Sequence, residues 1–443
     1  MNALFTLTCS LFALSILVPL ITRAAKHDLD YFQPTTFLGI CFLFFYVLKP
    51  VDFHLFGGNL ITPERSITEV LGILYAYVGY LFFGFGYHIQ VGKSISGVLP
   101  VISKKDAHEH VFLVYLVLTG LGVVGLVLLT YEKGLASYVS HLASRKFYFS
   151  GHGVAYYLLF FFPGSFFVYT AYSIRNGRIV RSRLLVLAFV ISFVGALCTG
   201  SRLTILSIIL GTLIILHYMD KRIPLKVILV AGIVMLLLLV SFRYMRKPGG
   251  DFMAKITTGI SKHAVSENVI VETFHIIATN FLPYEELLVM IEHMPTKLDY
   301  QYGRIYLSGI IRIMPSWLIG PKRRFAEFSP GRIYTSSFFP EREFRGKVTL
   351  FPGIIGEGYV NLHVGGIIMT MLFLGVLYRS LYEYLKKDVS NRDRVLIYAI
   401  SILALSRTIK GGINSGLPYF LGYLIPILFG TLLLKLHGNS DHE

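Results

Sequence analysis

The chain has 443 residues, of which 54% are hydrophobic and 15% charged, and its mean hydropathy is +0.64. A soluble domain carries about 25% charged residues, so the composition excludes an ordinary soluble domain and specifies a multi-span membrane protein. The formal charge of +16 does not call for nucleic acid, because membrane proteins concentrate Lys and Arg in short cytoplasmic loops.

Cys9, Cys41 and Cys198 sit in apolar runs, without paired spacing or histidine neighbours. A disulfide framework and structural zinc are thereby excluded, and no metal or other cofactor is expected.

Taken in chain order, apolar segments cover Leu4–Thr22, Thr36–Leu55, Ile67–Ile89, Val111–Tyr131, Val154–Ile174, Leu184–Thr199, Leu203–Tyr218 and Pro224–Phe242. After a long polar interval come Ile354–Tyr378, Val395–Thr408 and Leu417–Leu436, which makes about 11 spans. The expected fold class is an all-α polytopic membrane protein. Its parts are a membrane domain over 1–242, a large loop with short helices over 243–351, and a second membrane portion over 352–443. The first segment lacks a basic start and ends in Thr22-Arg23-Ala24-Ala25-Lys26, the pattern of an anchor rather than of a cleaved signal peptide.

Lys and Arg crowd one set of alternate loops, at 23–26, 93–105, 175–183, 221–226, 379–394 and Lys435. The other set holds only Lys49, Arg65, Lys133, Arg145, Lys146, Arg202, Arg407 and Lys410. The first set is expected in the cytoplasm. That puts the N-terminus and the 243–351 loop in the periplasm of a bacterial inner membrane, and the C-terminus in the cytoplasm.

Within the loop, Tyr284–His293 reads as a short helix between Pro283 and Pro295. Tyr302–Gly320 is more apolar, but it contains Arg312 and Pro315 and so reads as interfacial or re-entrant, with Tyr306 and Trp317 at headgroup depth. The basic run Lys322-Arg323-Arg324, Arg332, Arg342, Arg345 and Lys347 reads either as a loop drawn to anionic headgroups or as a guide for a phosphate-bearing substrate.

Three stretches carry the candidate chemistry. At Cys198-Thr199-Gly200-Ser201-Arg202, Gly200 permits a tight turn, Ser201 suits an N-cap, and Arg202 enters a first helical turn where the dipole is already positive. Backbone N–H groups plus a guanidinium there would suit a phosphate or pyrophosphate; the alternative is an arginine snorkelling to headgroups. Arg407 and Lys410 end one helix, and Gly411 to Pro418 opens the next at the same face, offering further N–H donors.

The third stretch is Phe351-Pro352-Gly353 to Gly365-Gly366, where the chain re-enters the membrane. Glu357 and Asn361 share a helical face, whereas Tyr359 and His363 point nearly opposite. All four can line one cleft only where the glycines break the helix. A first-turn acid and a packed interhelical histidine are the structural alternatives for Glu357 and His363, yet ionisable groups at membrane depth are functional candidates by default.

The layout, with Thr199-Gly200-Ser201-Arg202 and the Pro352…Gly356-Glu357-Gly358-Tyr359-Val360-Asn361…Gly365 re-entry, resembles the Wzy-type O-antigen or oligosaccharide repeat-unit polymerases. Where relatives often carry Phe-Gly after the asparagine, this chain has Leu362-His363. The resemblance implies a GT-C-like architecture and metal-independent glycosyl transfer between undecaprenyl-pyrophosphate-linked glycans at the periplasmic face. It implies Arg202, with Arg243 or Arg246, on the pyrophosphate, and Glu357 as general base with His363 as runner-up. Arg312, Tyr359, Asn361, Arg407 and Lys410 would contact substrate. The expected partners are the lipid-linked glycans, membrane lipids and a chain-length-regulating copolymerase. The rival readings are a non-enzymatic lipid-oligosaccharide flippase or exporter, and the related O-antigen ligase, which uses a periplasmic histidine with arginines.

Overall fold

The computed structural model describes residues 3–56, 66–99, 110–131, 134–140, 152–175, 178–179, 182–220, 222–245, 283–314, 330–340, 350 and 352–440. Their regular structure is helical, apart from a two-residue antiparallel ladder of Ile174–Arg175 (β1) with Arg178–Ile179 (β2). The first helices are α1 (Ala3–Ala25), α2 (Pro34–Phe42), a π-helical turn (Leu43–Val47), α3 (Leu48–Phe56), α4 (Ser66–His88) and α5 (Val91–Val98). Next come α6 (Val111–Thr130), α7 (Leu135–Ser140), α8 (Gly153–Leu158), α9 (Phe161–Ser173), α10 (Ser182–Cys198), α11 (Arg202–Met219) and α12 (Leu225–Met245). The remainder are α13 (Pro283–His293), α14 (Arg304–Ile313), α15 (Pro330–Phe338), α16 (Gly353–Lys386), α17 (Arg392–Gly411) and α18 (Ile413–Ser440).

Among the described residues, eight helical stretches are long and apolar enough to cross a membrane, and Arg183–Cys198 and Leu225–Leu238 are shorter apolar helices. Helix α17 overlies the expected segment Val395–Thr408, but it carries Arg392, Asp393, Arg394, Arg407 and Lys410. In α1, Phe5, Cys9, Phe12 and Ile16 pack inward while Leu4, Leu7, Leu11, Leu14 and Val18 stay exposed. Apolar side chains on the unpacked face are what hydrocarbon, not water, solvates.

The chain forms two compact units, each made of several stretches of sequence. The first comprises the described parts of Met1–Leu99, Asn268–Tyr384 and Ala404–Tyr419; the second those of Pro100–Glu267, Leu385–Leu403 and Phe420–Glu443.

In the first unit, α4 and α16 approach closely through small residues. A Cβ on Gly86 would strike the Leu372 carbonyl, and one on Gly375 the Phe83 carbonyl. Lys49, expected as a loop charge, instead lies in α3 and is 1% exposed. Its Nζ pairs with Glu285 of α13 at 2.9 Å and with Asp52 at 3.4 Å. His54 Nε2 meets Glu69 Oε2 at 2.7 Å. Helix α13, predicted from its flanking prolines, is thus fastened by the Lys49–Glu285 ion pair as well as by buried Tyr284, Leu287 and Leu288. Burial, with the Glu69 carboxylate next in effect, holds the Tyr284 phenol well above its ordinary range.

In the second unit, Phe162 lies where a Cβ on Gly122 or Gly195 would fall, and Phe167 where one on Gly211 would. Asp393 accepts a hydrogen bond from the Tyr172 hydroxyl at 2.7 Å and pairs with Lys435 at 3.3 Å.

Candidate functional site

Helix α16 consists of two helical stretches joined across a break in backbone direction. Leu362 has φ −147° and ψ 35°, and His363 has φ 55° and ψ −144°. The sequence places the break at the glycines; it falls instead on the two residues between Asn361 and Val364. Those residues are turned outward: Leu362 and His363 are exposed, while every residue from Pro352 to Asn361 is buried.

A network of polar side chains holds this geometry. Glu357, 1% exposed, accepts the Asn414 amide on Oε1 at 2.8 Å and the Ile413 backbone N–H on Oε2. Ile413 opens α18, so Glu357 serves as an acidic cap supplied from another helix, favoured by the dipole at that end. Gly412 makes the approach possible: its φ is +75°, and a Cβ there would collide with the Glu357 carboxylate. The N–H donors expected at this helix start for a ligand are therefore turned to an internal carboxylate.

Asn414 also donates to the Ile305 carbonyl at 2.7 Å and accepts from Ser308 Oγ at 3.3 Å. Asn361, fully buried, donates to the Glu357 carbonyl at 2.8 Å and accepts the Gly303 N–H at 3.1 Å. The backbone joins in, with Gln301 N–H on the Val360 carbonyl and Tyr302 N–H on the Asn361 carbonyl, each at 2.9 Å. Tyr306 completes the frame with a 2.5 Å contact to Thr370 Oγ1. Burial, and secondarily the nearby Glu357 carboxylate, raise its phenol above the usual range, so it stays a neutral donor. Segment 300–308 is thereby bolted onto the break in α16.

Beside this frame, four rings gather. Tyr359 lies 4.9 Å from His363 and stacks on Tyr75 at 5.6 Å with a 29° interplanar angle. Tyr300 stands edge-on to His363 at 5.7 Å and to Tyr359 at 6.1 Å, and Tyr75 reaches His363 at 6.1 Å. Tyr359 is buried, Tyr75 and Tyr300 half-buried, and His363 exposed.

The structure thus brings together Glu357, Tyr359, Asn361 and His363, but in two roles: Glu357 and Asn361 face the interior frame, Tyr359 and His363 the ring group. Arg407 and Lys410 lie in the last turns of α17, leading through Gly411 and Gly412 to the Glu357 cap. Both are half-buried. The Arg407 guanidinium is 5.7 Å from the Tyr419 ring centre, and its buried Nε meets no hydrogen-bond partner among the described residues.

Arg202 belongs to the second unit. As expected, it is the first residue of α11, after Gly200 at φ 58°. Ser201 occupies the N-cap position with φ −98° and ψ 113°, but its side chain makes no cap bond; its N–H instead donates to Thr199 Oγ1 at 3.1 Å. Arg243 lies in α12 and Arg312 in α14. Arg246, Trp317, Lys322, Arg323, Arg324, Arg342, Arg345 and Lys347 lie outside the described residues.

Tyr75 and Tyr300 had no signal in the sequence, because nothing in their spacing relates them to Tyr359. The buried Lys49 had one: Lys49 and Asp52, three apart in an apolar segment, imply an ion pair needing company. Among the described residues, no group of three or more His, Cys, Asp and Glu side chains is placed to hold a metal ion. Comparison of the chain with protein-family models, curated proteins and solved structures finds no match.

Proposed function

We propose that the protein is an inner-membrane glycosyltransferase that polymerises undecaprenyl-pyrophosphate-linked repeat units into O-antigen or a related surface polysaccharide. One observation carries the reading: an exposed histidine stands at a strained break in an apolar helix, ringed by tyrosines and fixed from behind by a buried carboxamide and carboxylate network. Ionisable groups set at membrane depth on so rigid a support are the mark of a functional site.

In this reading His363, rather than Glu357, is the general base, because both Glu357 oxygens are engaged in capping α18. His363 takes the proton of the acceptor sugar's hydroxyl, and that oxygen bonds to the anomeric carbon of the donor chain. The bond from that carbon to the pyrophosphate oxygen breaks, and undecaprenyl pyrophosphate leaves. A base of this kind contributes about 10²–10⁴-fold. Arginines meeting the leaving charge contribute more, and within the unit that holds His363 the candidates are Arg312, Arg407 and Lys410. The basic run of the 243–351 loop, most of which lies outside the described residues, would serve in this reading to attract the phosphate-bearing substrate on the periplasmic side.

Purified protein given a synthetic undecaprenyl-pyrophosphate repeat unit is expected to produce a ladder on a gel. Unchanged substrate across matched repeat units, together with its translocation in liposomes, would establish the flippase instead; a single transfer onto lipid A core would establish the ligase. Chelator is expected to leave the ladder intact, and a loss restored by magnesium would refute a metal-independent reaction.

A further inference from the structure

The ring group does more than pack around His363. Its members come from three separate segments: Tyr75 from α4, Tyr300 from the stretch before α14, and Tyr359 and His363 from just before and at the α16 break. Backbone hydrogen bonds from Gln301 and Tyr302 to Val360 and Asn361 hold Tyr300 in register with that break. The rings are therefore set before any ligand arrives. Tyr359 is buried, Tyr75 and Tyr300 are half-exposed and His363 is exposed, and the chain neighbours Leu362 and Tyr302 are 38% and 75% exposed.

The surface so made is aromatic and carries three phenol hydroxyls and one imidazole. Ring faces are electron-rich and ring edges electron-poor, so the faces favour polarised C–H groups and disfavour phosphate oxygens. A pyranose matches this pattern, presenting C–H bonds on one face and hydroxyls around its edge. An acyl chain would leave the phenol and imidazole groups unsatisfied. A quaternary ammonium is best held when rings enclose it, whereas these rings pack on one another at 4.9–6.1 Å.

We propose that Tyr75, Tyr300, Tyr359 and His363 form a carbohydrate platform that seats the terminal pyranose of the acceptor, its apolar face on the rings and its reacting hydroxyl toward the His363 imidazole. The assignment rests on the glycosyl-transfer reading above, and it names the subsite that reading lacks. It makes Tyr75 and Tyr300 specificity-determining residues, since they set which face and which substituents the ring can present.

The test uses full-length protein in nanodiscs and saturation-transfer NMR with a panel of methyl pyranosides (glucoside, galactoside, mannoside, rhamnoside and N-acetylglucosaminide), with choline as the comparison probe. At least one pyranoside is expected to receive saturation on the C–H protons of one face. Tyr300→Ala and Tyr75→Leu should each weaken that binding about tenfold, as expected for loss of one ring contact, while Tyr300→Phe should change it little. Melting temperatures identify any variant that has lost its fold, and Tyr75→Leu keeps most of the buried volume. Saturation of choline alone, of no pyranoside, or of a pyranoside equally in wild type and both ring-removing variants would overturn the platform. Chain extension measured on the same proteins separates the two readings. Normal extension by Tyr300→Ala overturns the platform and leaves the polymerase standing, whereas ring-dependent sugar binding without any extension supports the platform and removes the polymerase.

Discussion

The Glu357 carboxylate reaches across to the start of α18, taking the Asn414 amide at 2.8 Å on one oxygen and the Ile413 N–H on the other. Both donors are shielded by a residue that is itself 1% exposed. Glu357→Ala would leave both without an acceptor, at about 1–3 kcal/mol each, and Glu357→Gln would keep an oxygen for one donor while turning an NH₂ toward the other. The expected order of melting temperature is wild type, then Gln, then Ala, with faster amide exchange at Ile413 to Gly416 in both variants. Extension by the Gln variant should fall no further than its loss of folded protein explains. A loss of about 10³-fold in folded Glu357→Gln protein, the size of a missing base, would return the base role to Glu357.

His363 occupies φ 55° and ψ −144°, a conformation reached comfortably only by glycine and costing other residues about 1–3 kcal/mol. Function and stability should therefore separate here. His363→Gly is expected to raise the melting temperature and His363→Ala is not, since alanine keeps the Cβ. Both should lower chain extension about 10²–10⁴-fold. A glycine variant no more stable than the alanine variant would mean that the break is not strained, and unchanged extension by either would remove His363 from the reaction.

Much of this site was visible in the chain before folding, and the reasons differ by residue. Glu357 and Asn361 fall four apart and face the same way, a local property of any helix, and the structure places them in one network. The apolar segments matched helices because hydropathy is summed over a whole window. The location of the break was not legible: glycines permit a break, but the hydrogen bonds from segment 301–303 fix it at Leu362 and His363. Partners far apart in sequence leave no spacing signal. Lys49 meets Glu285 at 2.9 Å, and Tyr75 meets Tyr359, only because α13 and α4 fold back against those helices. The helix start at Ile413 looked like an open anion site because its acceptor, Glu357, comes from another helix.

The Lys49 ion pairs make a prediction about stability alone. Lys49, Asp52 and Glu285 are all buried, and removing one member of such a group costs about 3–5 kcal/mol through the charges left behind. Lys49→Met is expected to lower the melting temperature sharply and to expose α13 to proteolysis. Adding Glu285→Leu should recover a large part of the loss, because the pair is then replaced by apolar contact. If Lys49→Met alone melts like wild type, the pair does not anchor α13.

Arg407 makes the prediction closest to the substrate. Its guanidinium lies 5.7 Å from the Tyr419 ring centre and the residue is half-buried, and its planar fork of N–H donors suits an incoming anion. A guanidinium can hold a pyrophosphate through two parallel bonds, and an ammonium cannot. Arg407→Lys should therefore behave almost like Arg407→Ala, each raising KM for the lipid-linked donor by about 10–100-fold, as expected for one or two lost charge-assisted bonds. Extension kinetics over a range of donor concentrations measure this directly. Full activity of the lysine variant would show that charge alone suffices at this position, and full activity of the alanine variant would take Arg407 out of the pyrophosphate site.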